Sequence, residues 1–159
     1  MPIKNIVVSI ANAATSLVTA KYAIYLAKLL GAKLTVVFVV NKGVMQELLR
    51  SRVFVEVEAI EYEHDLEEQG KQFLDRVKKL AEAKGVDFEG SLLKGVVHDE
   101  VVNKVKELNA ELLVMGEVKE MLSIKDSFYD EGKRIFYETP CPVIIVKNPQ
   151  EVERLYKEI

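Results

Sequence analysis

Two stretches near the N-terminus, Ile3 to Ile10 and Leu34 to Val40, are dominated by apolar and β-branched residues. A strand with one wet face would alternate apolar and polar positions. These runs do not, so both faces of each strand must be covered. Between them Leu17, Ala20, Ala23, Ile24, Ala27 and Leu30 recur at helical spacing, and Gly31 supplies a C-terminal stop. Thr15 or Ser16 is placed to cap that helix. Strand, helix and strand with fully apolar strands make a right-handed βαβ unit in a parallel sheet.

The rest of the chain continues that alternation. From about Val55 to Lys84, Ala59, Tyr62, Leu66, Gly70, Phe73, Val77 and Leu80 form one helical stripe that ends at Gly85. A helix of this length outgrows a crossover, so its first turns should project beyond the sheet. Asp87 to Leu93 reads as a strand, Val97 to Leu108 as a helix, and Leu112 to Met115 as the fourth strand. Asp99 early in the helix and Lys104 and Lys106 late in it match the helix dipole. Ser127 to Glu138 reads as a helix interrupted by Gly132, and Val143 to Val146 as the fifth strand. Lys42 to Arg52 is ambiguous: Val44, Leu48 and Leu49 fit a short helix, whereas Arg50 to Val57 alternates like a strand. Five strands alternating with helices predict a doubly wound α/β sandwich, with any ligand at the C-terminal ends of the strands.

The tail has its own logic. Asn148 is a good N-cap, Pro149 suits the first helical position, and Glu151 lies three residues after the cap. Val152, Leu155, Tyr156 and Ile159 then share one face. A helix over 149–158 is too short to persist alone and must dock on something.

A chain of 159 residues fits one domain, with a core over 3–147 and the tail helix appended. No apolar run reaches the roughly 18 residues of a membrane span. The N-terminal residues follow a strand pattern, not that of a secretory leader. The single cysteine, Cys141, cannot form an internal disulfide, and the reading is a cytoplasmic protein. A net charge of -3 argues against a nucleic-acid partner.

Specific residues carry a family resemblance. They are Asn5-Ile6-Val7-Val8, Ala23-Ile24-Tyr25-Leu26-Ala27, Gly31-Ala32-Lys33-Leu34-Thr35-Val36-Val37, Leu112-Leu113-Val114-Met115-Gly116 and Thr139-Pro140-Cys141-Pro142-Val143-Ile144-Ile145-Val146. With these the core from Ile3 to Lys147 resembles the universal stress protein family. The resemblance implies a five-stranded, adenine nucleotide α-hydrolase-like sheet in the order 3-2-1-4-5. Nucleotide-binding members look like this: an Asp at the end of the first strand, then Gly-x2-Gly-x9-Gly-Ser/Thr after the fourth. Carried over without gaps, the Asp falls on Ala11, the glycines on Gly116, Lys119 and Tyr129, and the hydroxyl on Asp130. Val40 completes the equivalent positions.

Those residue types oppose ATP. Ala11 offers no acceptor, and Tyr129 carries a bulky side chain where phosphate needs close backbone approach. Asp130 would place a negative charge beside a polyphosphate, and like charges about 4 Å apart cost about 4 kcal/mol at an effective dielectric of about 20. Glu117 and Glu120 add to the repulsion, while Lys119 and Lys133 oppose it. The expectation is a family member with a degenerate motif and no bound cofactor, ATP or AMP being the alternative. The segment from Glu117 to Ser127, without phosphate to organise it, is expected to be mobile or to take a fold of its own.

No catalytic set emerges. His64, between Glu63 and Asp65, reads as a surface residue; His98 and Asp99 read as helix-opening residues. Cys141 sits between two prolines and reads as structural, and Ser9 and Ser16 lack a base. The acidic run from Glu56 to Glu68 reads as a solvated face or a partner surface. The reading is therefore a non-enzymatic regulatory or stress-response protein, with a remodelled small-anion site as the alternative. Val143, Ile144, Ile145 and Val146 form an apolar edge strand that must be covered or paired, and relatives of this kind often pair it with its own copy. A homodimer is expected there, with the tail helix near or across the same contact.

Overall fold

The computed structural model describes residues 2–10, 16–52, 55–116 and 127–159, with the backbone alone for 43–45 and 127–130. Five parallel strands form one sheet in the order β3-β2-β1-β4-β5. They are β1 (Asn5–Ile10), β2 (Lys33–Asn41), β3 (Phe88–Gly95), β4 (Leu112–Gly116) and β5 (Val143–Val146). The helices are α1 (Leu17–Leu30), α2 (Lys42–Arg50), α3 (Glu56–Ala83), α4 (Val97–Leu108), α5 (Ser127–Glu138) and α6 (Pro149–Glu158).

Side-chain alternation divides the core in two. Ile6, Val8 and Ile10 of β1 point with Leu34, Val36, Phe38 and Val40 of β2 into a layer closed by α1, α3 and α6. Val7, Val37, Leu113 and Met115 point the other way, against Val97, Val101 and Val105 of α4 and Ile135 of α5. Central β1 is covered on both faces, which is why its sequence lacks a polar stripe.

Several boundaries depart from the sequence reading. Residues 42–50 form α2, and α3 begins at Glu56, so no strand occupies the described part of 50–57. β3 runs two residues past Leu93, to Gly95, because its register with β2 continues to Asn41↔Gly95. α5 is continuous through Gly132, which is buried within it. A helical glycine costs about 1 kcal/mol; the anchors Glu131 and Ile135 on either side of it hold the helix together. Ser16 stands at the α1 N-cap in a right-handed α conformation (φ -90°, ψ -2°), and its side chain makes no capping bond; Thr15 lies outside the described residues. The first turns of α3 project as expected, leaving Val55, Val57 and Ile60 exposed.

The tail helix folds back onto its own chain. The Asn148 side chain accepts from the Glu151 N–H at 3.3 Å, with Pro149 in the first turn. Val152 and Tyr156 are buried in the layer shared with α1 and α3. Lys21 pairs with Glu153 at 2.7 Å, and the Lys84 ammonium donates to the Ile159 main-chain oxygen at 3.0 Å. Val152 and Tyr156, half of the face expected near a dimer contact, are thus taken up within the chain, against α1.

Candidate functional site

β1 lies between β2 and β4, and the winding direction reverses around it. The crevice above the strand ends is therefore bounded by Ile10, Asn41 and Gly116. Gly116 ends β4, and a Cβ built on it would stand 3.0 Å from Thr19 Oγ1. The missing side chain lets the first turn of α1 approach the end of β4. Ser9, Ser16 and Thr19 are all buried here, at the end of β1 and the start of α1. The charge pattern gave no signal for these three hydroxyls; their common feature is position at the strand-to-helix turn.

The other predicted positions scatter. Val40 is 1% exposed and sits in the α1–α3 layer, so it forms floor and not lip. Tyr129 and Asp130 are the third and fourth residues of α5, with helical backbone. Ala11 and Lys119 lie outside the described residues, as does most of the segment predicted to be mobile, 117–126.

A second polar cluster lies between α4 and α5. His98 is buried, and its Nδ1 is 2.7 Å from Glu131 Oε2. The same carboxylate oxygen accepts the His98 backbone N–H at 2.6 Å, so a residue of α5 caps the open N-terminus of α4. The other ring nitrogen, Nε2, is 3.3 Å from Asp99 Oδ1 and 3.5 Å from Arg134 Nη1. The sequence reading of His98 as a helix-opening residue holds for its position, but the capping group is Glu131, 33 residues away. His64 is exposed, as expected. Burial pushes the Cys141 thiol up, which keeps it protonated and a poor nucleophile at neutral pH.

The opposite end of the sheet holds a cavity of about 470 Å³ lined by residues including Lys4, Lys28, Lys33 and Asp87. The C-terminal ends of α1 and α3, at Gly31 and Gly85, open onto it. Helix C-termini carry partial negative charge, so the lysines there complement the protein's own dipoles.

The profile of the universal stress protein family matches residues 2–147. The chain belongs to the universal stress protein family. Universal stress protein MJ0531 of Methanocaldococcus jannaschii is 29% identical over 148 residues, covering 93% of this chain and 84% of the relative. Among solved structures, universal stress protein UspA from Lactobacillus plantarum superposes with a TM-score of 0.75 at 14% identity, covering 92% of this chain and 99% of that one. A universal stress protein from Archaeoglobus fulgidus in complex with dAMP gives 0.60 at 21% identity, covering 92% and 100%. These structures share the fold found here. No described helix is long and apolar enough to cross a membrane.

Proposed function

We propose that this universal stress protein is a non-enzymatic, cytoplasmic regulator that works as a homodimer and does not hold ATP through the family's usual loop. The residue types at the expected ligand positions carry the reading. Tyr129 and Asp130 occupy positions that a phosphate loop gives to glycine and a hydroxyl, and they lie in the first turns of α5. A phosphate approaching there would meet an acidic residue, and helix dipole attraction alone is weak compensation. Supporting the non-enzymatic part, the buried imidazole of His98 is engaged by Glu131, and the Cys141 thiol is held protonated.

The homodimer reading rests on β5. Among the described residues this strand pairs with β4 alone, and Ile145 is 39% exposed although it is apolar. Phe136 and Tyr137, which precede it on α5, are exposed as well, at 47% and 73%. An uncharged edge strand beside exposed aromatics is a surface that needs a cover.

A small adenine-containing ligand is the second reading. The Archaeoglobus fulgidus relative was solved with dAMP, a far smaller anion than ATP. The buried hydroxyls of Ser9, Ser16 and Thr19 lie by the crevice above the strand ends, where a doubly wound sheet takes its ligands.

Calorimetric titration separates the two. No heat with Mg-ATP, AMP or dAMP up to low millimolar concentration is the expected result. Micromolar binding of AMP or dAMP without ATP would favour the second reading. Low-micromolar ATP binding would overturn both.

A further inference from the structure

We propose that His98, Asp99 and Glu138 hold a divalent transition-metal ion between α4 and α5, with Glu131 orienting the imidazole. One donor atom from each of these three residues lies within 4.8 Å of the others, close enough for small side-chain movements to bring them onto one ion with bonds of about 2.0–2.2 Å. Glu131, Arg134 and Glu138 fall at i, i+3 and i+7 on α5, so one stripe of that helix faces His98.

The imidazole is prepared for metal. Glu131 Oε2 lies 2.7 Å from Nδ1, and a carboxylate there holds the proton on Nδ1. In the neutral ring Nε2 then presents its lone pair toward Asp99 Oδ1, 3.3 Å away. A lone pair facing a carboxylate oxygen at that distance is repulsive unless positive charge lies between or beside them. Carboxylate, histidine and metal in line is the arrangement that fixes a ligating histidine in its metal-binding tautomer. The His98 ring is buried, which limits its motion, while Asp99 and Glu138 are exposed and free to close on an ion.

Arg134 supplies the positive charge in the metal-free state. Its Nη1 is 3.5 Å from Nε2, a long and weak contact, and the side chain is exposed. An incoming ion displaces the guanidinium into solvent. One imidazole with two carboxylates suits Zn²⁺, Co²⁺ or Mn²⁺ better than Mg²⁺, which prefers oxygen alone. The bound ion would tie α4 to α5.

The test uses the full chain with Co²⁺ as an optical probe and Zn²⁺ as competitor. One equivalent of Co²⁺ should bind with visible d–d absorption and be displaced by Zn²⁺. Asp99→Asn and Glu138→Gln, both at exposed side chains, should each weaken Zn²⁺ at least ~10-fold. Glu131→Gln should weaken it ~10–100-fold through the imidazole. Arg134→Ala should bind as well as wild type or better, and His64→Asn should bind unchanged. Absence of stoichiometric uptake at tens of micromolar metal would overturn the proposal. So would unchanged affinity in both Asp99→Asn and Glu138→Gln, or loss of binding in His64→Asn.

Discussion

The phenolic hydroxyl of Tyr156 on α6 donates to the main-chain carbonyl of Leu80 on α3 at 3.0 Å. Lys84 lies over the same ring, 4.6 Å from its centroid. One residue of a ten-residue helix thus fastens the tail to the last turns of the longest helix. Tyr156→Phe keeps the ring and removes the hydrogen bond. It should cost about 0.5–1.5 kcal/mol, more if the carbonyl is left without water. Scanning calorimetry should show a fall of a few degrees in Tm, roughly 2–4 °C per kcal/mol for a chain of this size. An unchanged Tm would mean that the tail is held by its buried side chains and its lysine contacts, without help from the Tyr156 hydroxyl.

Gly70 offers a test in which helix propensity and packing oppose each other. Alanine normally stabilises a helix interior by about 1 kcal/mol over glycine. At Gly70 a Cβ would stand 2.8 Å from both Leu92 Cδ1 and Phe38 Cδ1. Phe38 is itself packed against Phe73, with ring centroids 6.3 Å apart, so it has little room to yield. Overpacking of this kind costs roughly 1–3 kcal/mol. Gly70→Ala should therefore be net destabilising in urea unfolding. A more stable variant would show that the layer between α3 and the β2–β3 pair gives way easily.

Glu111 gives the stability a specific acid limb. Its Oε1 accepts from the Asn5 N–H at 2.8 Å and the Lys4 N–H at 3.1 Å, joining the start of β1 to the start of β4. The Asn5 bond, then that of Lys4, holds the carboxyl below its usual value of about 4.5. A lowered folded-state pKa means that the contribution is complete above the unfolded value and is lost as pH falls through the folded one. Glu111→Gln should be less stable than wild type at pH 7, and the gap should close as pH falls below the unfolded value of about 4.5 and through the lower folded one. Glu67 and Glu151 are lowered too, so the comparison must be between the two proteins and not of wild type with itself. A gap that stays constant from pH 7 to pH 3 would refute the assignment.

The dimer reading has a clean probe in Ile145. Ile144 packs partly against the α1 layer, so a charge there also strains the core. Ile145 is the more exposed of the two and faces the α5 side. Light scattering should give a dimer for wild type at tens of micromolar protein and a monomer for Ile145→Lys, with unchanged circular dichroism. A wild-type monomer would remove the homodimer from the proposed function. A dimer indifferent to both Ile145→Lys and Ile144→Lys would move the contact elsewhere.

Much of the architecture was legible because it is written in local patterns. Apolar runs marked β1, β2, β4 and β5, helical stripes marked α1, α3 and α4, and Asn148-Pro149 announced α6. What stayed hidden was non-local. His98 and Glu131 are 33 residues apart, and no periodicity joins them. The docking of Tyr156 on Leu80 spans 76 residues. The break expected at Gly132 failed because packing on both sides of it outweighs the propensity of one residue. The close approach of Thr19 to Gly116, 97 residues apart in the chain, is non-local in the same way.

The two edges of the sheet are unlike. β3 is flanked by charge: Glu89 pairs with Lys33 at 3.5 Å, and Lys94 pairs with Glu67 of α3. β5 carries no charge at all between Val143 and Val146. A sheet open at both ends can add copies without limit, as fibres do. Here a strand that joins β5 meets an uncharged edge, whereas one that approaches β3 meets the charges of Glu89 and Lys94. Strand addition is therefore favoured at one end of the sheet and discouraged at the other, so the chemistry of β3 works against open-ended growth.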